Sequence, residues 1–408
     1  MPDRPLTRIP VPPGAAGVLA LIEPLRQALD GTGPAIAPIP TISATTSNEY
    51  VSALLKATRP GDSTQPLESE EIAVVMATSG STQNPKGVLH TAASLTALTR
   101  AALGEVQSTP QWIAALPVTS MGGLNVLIRS LGTGLDPIPV ASVGGAAPFT
   151  PQAFNDAFAA ALLRSSDVRV SLVAAQLRRL LADPQSSAAL QQCSQILIGG
   201  GPLPLATAEA ARTADIALTT TYGATETAGG CVFNGIPLDG VDVQIDELDA
   251  QIILAGPMVA LGYRCAPELS ARQFVNGAYR TGDTGTFAGT LHVTGRLDDV
   301  VTINGVNVAV QAVEDALTSI GNVHSCAVVT ETDASGENQL FAAVTLASSN
   351  FNAEELKLEL RAAIRESLGS AAVPRYFAIL EQLPMLPNGK VDQRTLKGLI
   401  GDGVTWQR

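Results

Sequence analysis

Cysteine, histidine, aromatic side chains, basic charge and long apolar runs are all scarce in this chain, and each scarcity removes a class of function. The four cysteines (Cys193, Cys231, Cys265, Cys326) are scattered with no Cys-x-x-Cys pair, and the three histidines (His90, His292, His324) are equally dispersed. No zinc site or disulfide framework is expected from such spacing, and the thiols read as small buried hydrophobes. Only 15% of residues are charged, and 25 Lys plus Arg against 37 Asp plus Glu leave a net charge of -12 with no basic run. Nucleic acid is therefore excluded as a partner. The start, MPDRPLTRIPVPPG, has no apolar core of a signal peptide, and nowhere is there an uncharged apolar stretch of membrane-spanning length. The expected address is the cytoplasm.

What is present is a chain of 408 residues, 46% of them hydrophobic, enough for two or three domains of about 150 residues each. Residues 1–70 are rich in Pro, Ser, Thr and Ala, with one amphipathic stretch at Val18 to Leu29 and no motif. From Glu71 onward short Val/Ile/Leu runs alternate with helical stretches (Ile72–Met76, Val168–Val173, Gln195–Ile198), the texture of a parallel α/β sheet. Between Val241 and Val293 the runs crowd together around Gly and Pro and predict antiparallel strands. The fold class is thus a large α/β N-terminal domain with mixed sheets, residues 1–297, followed by a small mobile α+β domain, residues 298–408. The boundary falls on the charged segment Arg296-Leu297-Asp298-Asp299. In the small domain a helix is expected near Val308–Leu317, strands near Ser325–Thr330 and Gln339–Leu346, and a helix over Ala353–Leu368 with Leu356, Leu360, Ile364 and Leu368 on one face.

Chemistry is suggested first by Thr78-Ser79-Gly80-Ser81-Thr82-Gln83-Asn84-Pro85-Lys86-Gly87, between a strand and the helical run Ala92–Leu103. A hydroxyl-rich glycine loop opening a helix offers N–H groups, hydroxyls, the Lys86 charge and the helix dipole to phosphate oxygens. It is not a Walker A loop, because Pro85 stands where the second Gly is required and Gly87 where a hydroxyl would hold Mg²⁺. Thr225-Glu226 supplies a hydroxyl and a carboxylate, the hard oxygens that Mg²⁺ on ATP accepts. Asp283, flanked by Gly282 and Gly285, suits the two hydroxyls of a ribose. Gly199-Gly200-Gly201 after the strand QILI lets backbone approach a flat ring.

Taken in order, these segments resemble the adenylate-forming superfamily of acyl-CoA synthetases, luciferases and peptide-synthetase adenylation domains. Thr78 to Gly87 resembles its phosphate loop, Thr221-Tyr222-Gly223-Ala224-Thr225-Glu226 its Tyr-Gly-x-Thr-Glu segment, and Arg280-Thr281-Gly282-Asp283 its Arg-Thr-Gly-Asp. Gly295 to Asp299 is similar to its hinge, and Pro387-Asn388-Gly389-Lys390 to its C-terminal lysine loop. The resemblance implies ATP binding by Thr78, Ser79, Gly80, Ser81, Thr82, Lys86, Gly200, Gly201, Tyr222, Gly223, Asp283 and Arg296. It implies catalysis by Lys390, Thr225 and Glu226, with Glu226 on the metal, and rotation of the small domain about Asp298. ATP, Mg²⁺ and CoA follow as cofactors or co-substrates, with a small carboxylic acid as the remaining partner. A homodimer is among the states it allows. Departures fall at Gln83, Asn304, Val310 and Ala312, and bear on the thiol-accepting geometry.

The short segment before the phosphate loop, with Ser171 to Leu180 and the run Thr221 to Ile245, most resembles the o-succinylbenzoate–CoA ligase branch of the superfamily, in menaquinone biosynthesis. A benzoate ring needs a flat wall, for which Gly229 and Gly230 are candidates, and a second carboxylate needs a cation, for which Arg129 and Arg178 are. Thr119-Ser120 stands where that branch leads one to expect a histidine pair. A stand-alone adenylation enzyme, or a ligase for another acid, would carry the same motifs.

Overall fold

The computed structural model describes residues 4–78, 85–103, 109–297, 300–303, 305–333, 336–346, 353–385 and 391–401. The segment without a motif proves to be structural: its strands Leu6–Val11 and Ala35–Pro40 begin a five-stranded sheet, in the order Leu6–Val11, Ala35–Pro40, Ile72–Ala77, Gly87–Thr91, Gly262–Tyr263. The first three strands run parallel. Proline hid these strands, since Pro10, Pro38 and Pro40 lack the N–H that a ladder uses. Accordingly Ala35–Pro40 pairs along its whole length with its outer neighbour and only at Ile36↔Val74 with its inner one. The predicted amphipathic stretch is the helix Ala15–Asp30, which buries Val18, Leu21, Ile22 and Leu25, and a second helix, Asn48–Thr58, was not foreseen.

The second sheet has seven strands, ordered Ile236–Pro237, Gly229–Phe233, Thr219–Ala224, Gln195–Ile198, Val168–Leu172, Gln111–Ala114, Ile138–Pro139. From Thr219–Ala224 to Ile138–Pro139 it is parallel, and Gly229–Phe233 turns back antiparallel. Strands covered on both faces read as unbroken apolar runs, as Ile196, Leu197 and Ile198 do, each nearly inaccessible. One core joins Met76, Leu21 and Leu25 of the first sheet's side to Trp112, Leu124 and Leu127, and a second gathers Phe154, Val170, Leu172 and Ile196. The third sheet is antiparallel as expected: Asp242–Ile245, Gln251–Ala255, Ala278–Phe287 and Phe274–Val275, with Leu291–Arg296 also on Ala278–Phe287.

Beyond Leu297 come a hairpin, Val300–Ile303 with Val306–Ala309, and a three-stranded sheet of Val323–Thr332, Asn338–Leu346 and Tyr376–Ile379. The first helix of this region is Val310–Thr318, so Val308 belongs to a strand and the departures Val310 and Ala312 open the helix. In Ala353–Leu368 the expected face is buried at Leu356, Leu360 and Ile364, whereas Leu368, in the last turn, is exposed. Among the described residues no helix is long and apolar enough to cross a membrane.

Candidate active site

The motifs come from three different sheets: the phosphate loop leaves Ile72–Ala77 of the first, Thr225–Glu226 follows Thr219–Ala224 of the second, and Asp283 lies within Ala278–Phe287 of the third. Thr78 and Lys86 close the phosphate loop at its base: the Thr78 N–H donates to the Lys86 carbonyl at 2.8 Å and the Lys86 N–H to Thr78 Oγ1 at 3.0 Å. Ser79, Gly80, Ser81, Thr82 and Gln83 lie outside the described residues. Here the expected layout needs correction. The loop joins two antiparallel strands, Ala77 opposite Gly87, and only after Gly87–Thr91 does the helix Ala92–Leu103 begin. Five strand residues span about 17 Å, whereas a helix dipole fades within one turn, so the dipole does not reach the loop and Lys86 is the cation at its base.

Strand Thr219–Ala224 runs into a short 3-10 turn, Thr225–Thr227, and returns as Gly229–Phe233. Glu226 is 7% exposed, and its Oε1 accepts the Tyr263 hydroxyl at 2.8 Å. Tyr263 in turn carries the Lys86 ammonium 5.0 Å from its ring centroid, which ties the loop's lysine to the carboxylate's partner. The Thr225 carbonyl accepts from His90 Nε2 at 2.7 Å and from the Ala228 N–H at 3.1 Å. Burial pushes the His90 imidazole down to about 4, against a smaller upward pull from the Thr225 carbonyl, so the ring is neutral. Sequence reasoning set His90 aside with the scattered histidines; the alternation of a strand, which puts Val88 and His90 on one face just after Lys86, was the available signal.

Asp283 and Arg296 are direct cross-strand partners in the third sheet, brought together by the antiparallel return of Leu291–Arg296 along Ala278–Phe287. Arg296 Nη1 donates to Asp283 Oδ1 at 3.3 Å and the Tyr222 hydroxyl to Oδ2 at 2.8 Å. Burial and the Asp283 charge hold the Tyr222 hydroxyl well above its ordinary range, so it stays a donor. The Thr225–Glu226 and Asp283–Arg296 groups are thus linked through one strand, Thr219–Ala224. Gly200 takes a positive φ of 85° after the strand Gln195–Ile198, and nothing occupies the space beside Gly201, so backbone is open there. Gly223 is required by close approach, since a Cβ would stand 2.1 Å from the Gly229 carbonyl oxygen.

The candidate wall and cations fare differently. A Cβ at Gly229 would meet Asn125 Nδ2 at 2.4 Å and one at Gly230 would meet the Thr221 Cβ at 2.7 Å, so both glycines answer to internal packing. Arg178 is engaged across the domains, donating from Nη1 to the His324 carbonyl at 2.8 Å and from Nη2 to His324 Nε2 at 2.9 Å. Arg129 lies two turns along the helix Met121–Thr133 from its cap Ser120, 4% exposed, with its guanidinium 5.2 Å from the Trp112 ring centroid. Its Nε has no hydrogen-bond partner, and nor do Trp112 Nε1 and Asn125 Oδ1 near it. Burial, with Arg169 adding to it, lowers Arg129 to about 10, which leaves it cationic near neutral pH.

A cavity is lined by Ala77, Ser120, Met121 and Thr225 together with Thr46 and Tyr50. No motif announced the last two. Arg129, Arg178, Gly229 and Gly230 are not among its lining residues. Among the described residues no cluster of three or more His, Cys, Asp or Glu could hold a metal on its own. The donor set nevertheless suits Mg²⁺, which takes one carboxylate, here Glu226 with the Thr225 hydroxyl beside it, and fills its shell with phosphate oxygens and water. Asp298, Asn304 and Lys390 lie outside the described residues. Of the thiols, burial pushes Cys193, Cys231 and Cys326 up to about 12, while Cys265 is exposed, contrary to the expectation for all four.

A family model described as AMP-binding enzyme matches residues 20–263, and one described as AMP-binding enzyme C-terminal domain matches residues 312–390. The chain belongs to the AMP-binding enzymes. More particularly, it is 35% identical over 394 residues, 95% of this chain and 96% of the other, to the probable 2-succinylbenzoate–CoA ligase of Mycobacterium tuberculosis. Among solved structures it shares its fold with the amide bond synthetase McbA from Marinactinospora thermotolerans, with a TM-score of 0.73 at 24% identity, covering 98% of this chain and 90% of that one. It also shares it with the o-succinylbenzoate CoA synthetase MenE from Bacillus subtilis in complex with the acyl-adenylate OSB-AMP, with a TM-score of 0.70 at 21% identity, covering 97% and 88%.

Proposed function

We propose that this chain is a cytoplasmic acid–thiol ligase that converts o-succinylbenzoate, with ATP and CoA, to its CoA thioester. The observation that carries this reading is the 35% identity along nearly the full length of both chains to the mycobacterial protein. Chemically, a carboxylate oxygen attacks the α-phosphorus and the bond to the β-phosphate breaks, releasing pyrophosphate. The CoA sulfur then attacks the acyl carbon, the acyl–phosphate C–O bond breaks, AMP leaves, and the thiol proton passes to solvent.

In this reading Asp283, held by Tyr222 and Arg296, receives the ribose hydroxyls, and Gly200 and Gly201 lie against the adenine. Lys86 and the loop from Thr78 hold the phosphates, and Glu226 with Thr225 holds Mg²⁺. The metal, when bound, neutralises the departing pyrophosphate. Lys390 supplies a positive charge where negative charge accumulates at the α-phosphate, and Asp298 is the hinge that removes it for the second step. For the second carboxylate of the acid, Arg129 is the better of the two arginines. A buried cation with an unpartnered Nε, one helical turn past the Asn125 that holds the Ala228 carbonyl, is what such an anchor requires.

The test is a panel of aryl and aliphatic acids scored by mass spectrometry for ATP-dependent thioester. Formation of o-succinylbenzoyl-CoA at the highest kcat/KM is expected, and a clear preference for another acid overturns the substrate. Transfer to a carrier-protein phosphopantetheine but not to free CoA would instead identify a stand-alone adenylation enzyme.

A further inference from the structure

The strand Gly87–Thr91 carries Val88 and His90 along one face, Lys86 immediately precedes it, and all three meet the same group of residues. Lys86 stands over the Tyr263 ring, Val88 packs against Ala260 and Tyr263, and His90 reaches the Thr225 carbonyl. The strand is therefore a ruler laid between the phosphate loop and the Thr225–Glu226 turn. His90 is fully buried, and its only route to solvent-like partners is the protein itself: Nε2 faces Thr225, and Nδ1 stands 3.2 Å from Ser94 Oγ. Because a carbonyl only accepts, the hydrogen must sit on Nε2, which leaves Nδ1 as an acceptor facing the Ser94 hydroxyl, whose one hydrogen is shared with the Thr91 carbonyl at 3.0 Å.

The Thr225 carbonyl does not depend on His90 to be satisfied, because the Ala228 N–H also donates to it. Three other ties hold the same turn: Tyr263 on the Glu226 carboxylate, the Ala260 N–H on the Glu226 carbonyl at 2.9 Å, and Asn125 on the Ala228 carbonyl. The turn would thus stay folded without the imidazole. What His90 alone adds is direction, since the 2.7 Å bond approaches Thr225 from the phosphate-loop strand and sets the tilt of that peptide plane.

We infer that His90 is a positioning residue for the adenylation step, holding the Thr225 peptide so that the Thr225 hydroxyl and the Glu226 carboxylate stand at a fixed distance from Lys86, at the base of the phosphate loop. This rests on the assignment of Thr225 and Glu226 to Mg²⁺ and ATP. A displacement of about 1 Å in such a group costs up to a hundredfold in rate, so a loss between tenfold and a hundredfold is expected when the tie is cut.

Three variants separate this role from a structural one. His90→Leu removes the donor, His90→Asn keeps a donor but falls short of Thr225, and His90→Gln places an amide N–H where Nε2 was. Each is measured for acid-dependent ATP–pyrophosphate exchange across a Mg²⁺ titration, for thioester formation from supplied acyl-AMP, and for thermal midpoint. Expected are a loss in exchange and a raised Mg²⁺ requirement for Leu and Asn, recovery to within about threefold for Gln, and unchanged use of supplied acyl-AMP. If His90→Leu does not fold, the Asn and Gln pair decides. Equal exchange by Asn and Gln, or losses that follow the thermal midpoint alone, overturns the inference. Absence of exchange by the wild type with every acid would overturn the assignment of the site itself, a separate outcome.

Discussion

Replacing Glu226 by Gln separates the charge of that side chain from its packing. The amide keeps an oxygen where Oε1 accepts the Tyr263 hydroxyl at 2.8 Å, so the buried tyrosine is not orphaned. A hydrogen bond to a charged acceptor contributes roughly 1.5–3 kcal/mol and a neutral one roughly 0.5–1.5, a loss of about 1 kcal/mol. Against this, a carboxylate that is 7% exposed carries a desolvation penalty which the amide does not. The two effects oppose, and fold stability should move by no more than about 1 kcal/mol. Metal binding has no such compensation: the Mg²⁺ loses its one protein carboxylate, and adenylation at limiting metal should fall by about 10² to 10³, recovering partly in excess Mg²⁺. Thioester formation from supplied acyl-AMP, which carries no pyrophosphate, should change little. The assay is ATP–pyrophosphate exchange against Mg²⁺ concentration, with a melting curve of the same sample. A titration curve that superimposes on the wild type would place Glu226 outside the metal shell and refute the reasoning.

Three further outcomes are expected. Lys390→Ala should abolish acyl-AMP formation while sparing the thiol step, and equal loss in both half-reactions would remove Lys390 from its assigned place. Arg129→Leu should raise KM for the dicarboxylic acid, by the roughly 2–5 kcal/mol of a broken buried charge pair, without lowering stability, because the free protein buries that guanidinium without a carboxylate; Arg178→Leu should spare that KM, and the reverse pattern would exchange their roles. His324 accepts from Arg178 through an unprotonated Nε2, and burial, then Arg178 and Arg179, keep its proton affinity below the ordinary value. The unfolded chain, whose histidine titrates near 6.5, therefore binds more protons. The contribution of this contact is full above that range and is lost as pH falls through and below it. His324→Gln should flatten the pH dependence of the urea midpoint between pH 8 and 5, and an unchanged slope would count against the contact.

The family motifs were legible because each is short and local. Tyr222 to Glu226 lies on one strand and turn, and Arg280 to Asp283 on another, so their residue types are visible at fixed spacing. Helix Ala353–Leu368 was legible by period, although its last leucine is exposed, because the apolar stripe runs past the end of the core that it covers. The strands of residues 6–40 were not, since proline breaks the pattern by which a strand is recognised, while parallel neighbours supply the pairing that proline cannot.

The sequence by itself determined the alternating α/β texture from Glu71 onward, the antiparallel sheet between Val241 and Val293, and which segments carry hydroxyls, glycines and carboxylates for a nucleotide. All of these depend on residue type and short-range spacing. Only the tertiary structure decided that the phosphate loop returns as a strand, that Arg178 is spent on His324, that Gly229 and Gly230 make room for Asn125 and Thr221, and that His90 reaches Thr225 across 135 residues of chain. Each of these is a contact between distant segments. Its partner is chosen by strand order and register, which no local pattern encodes.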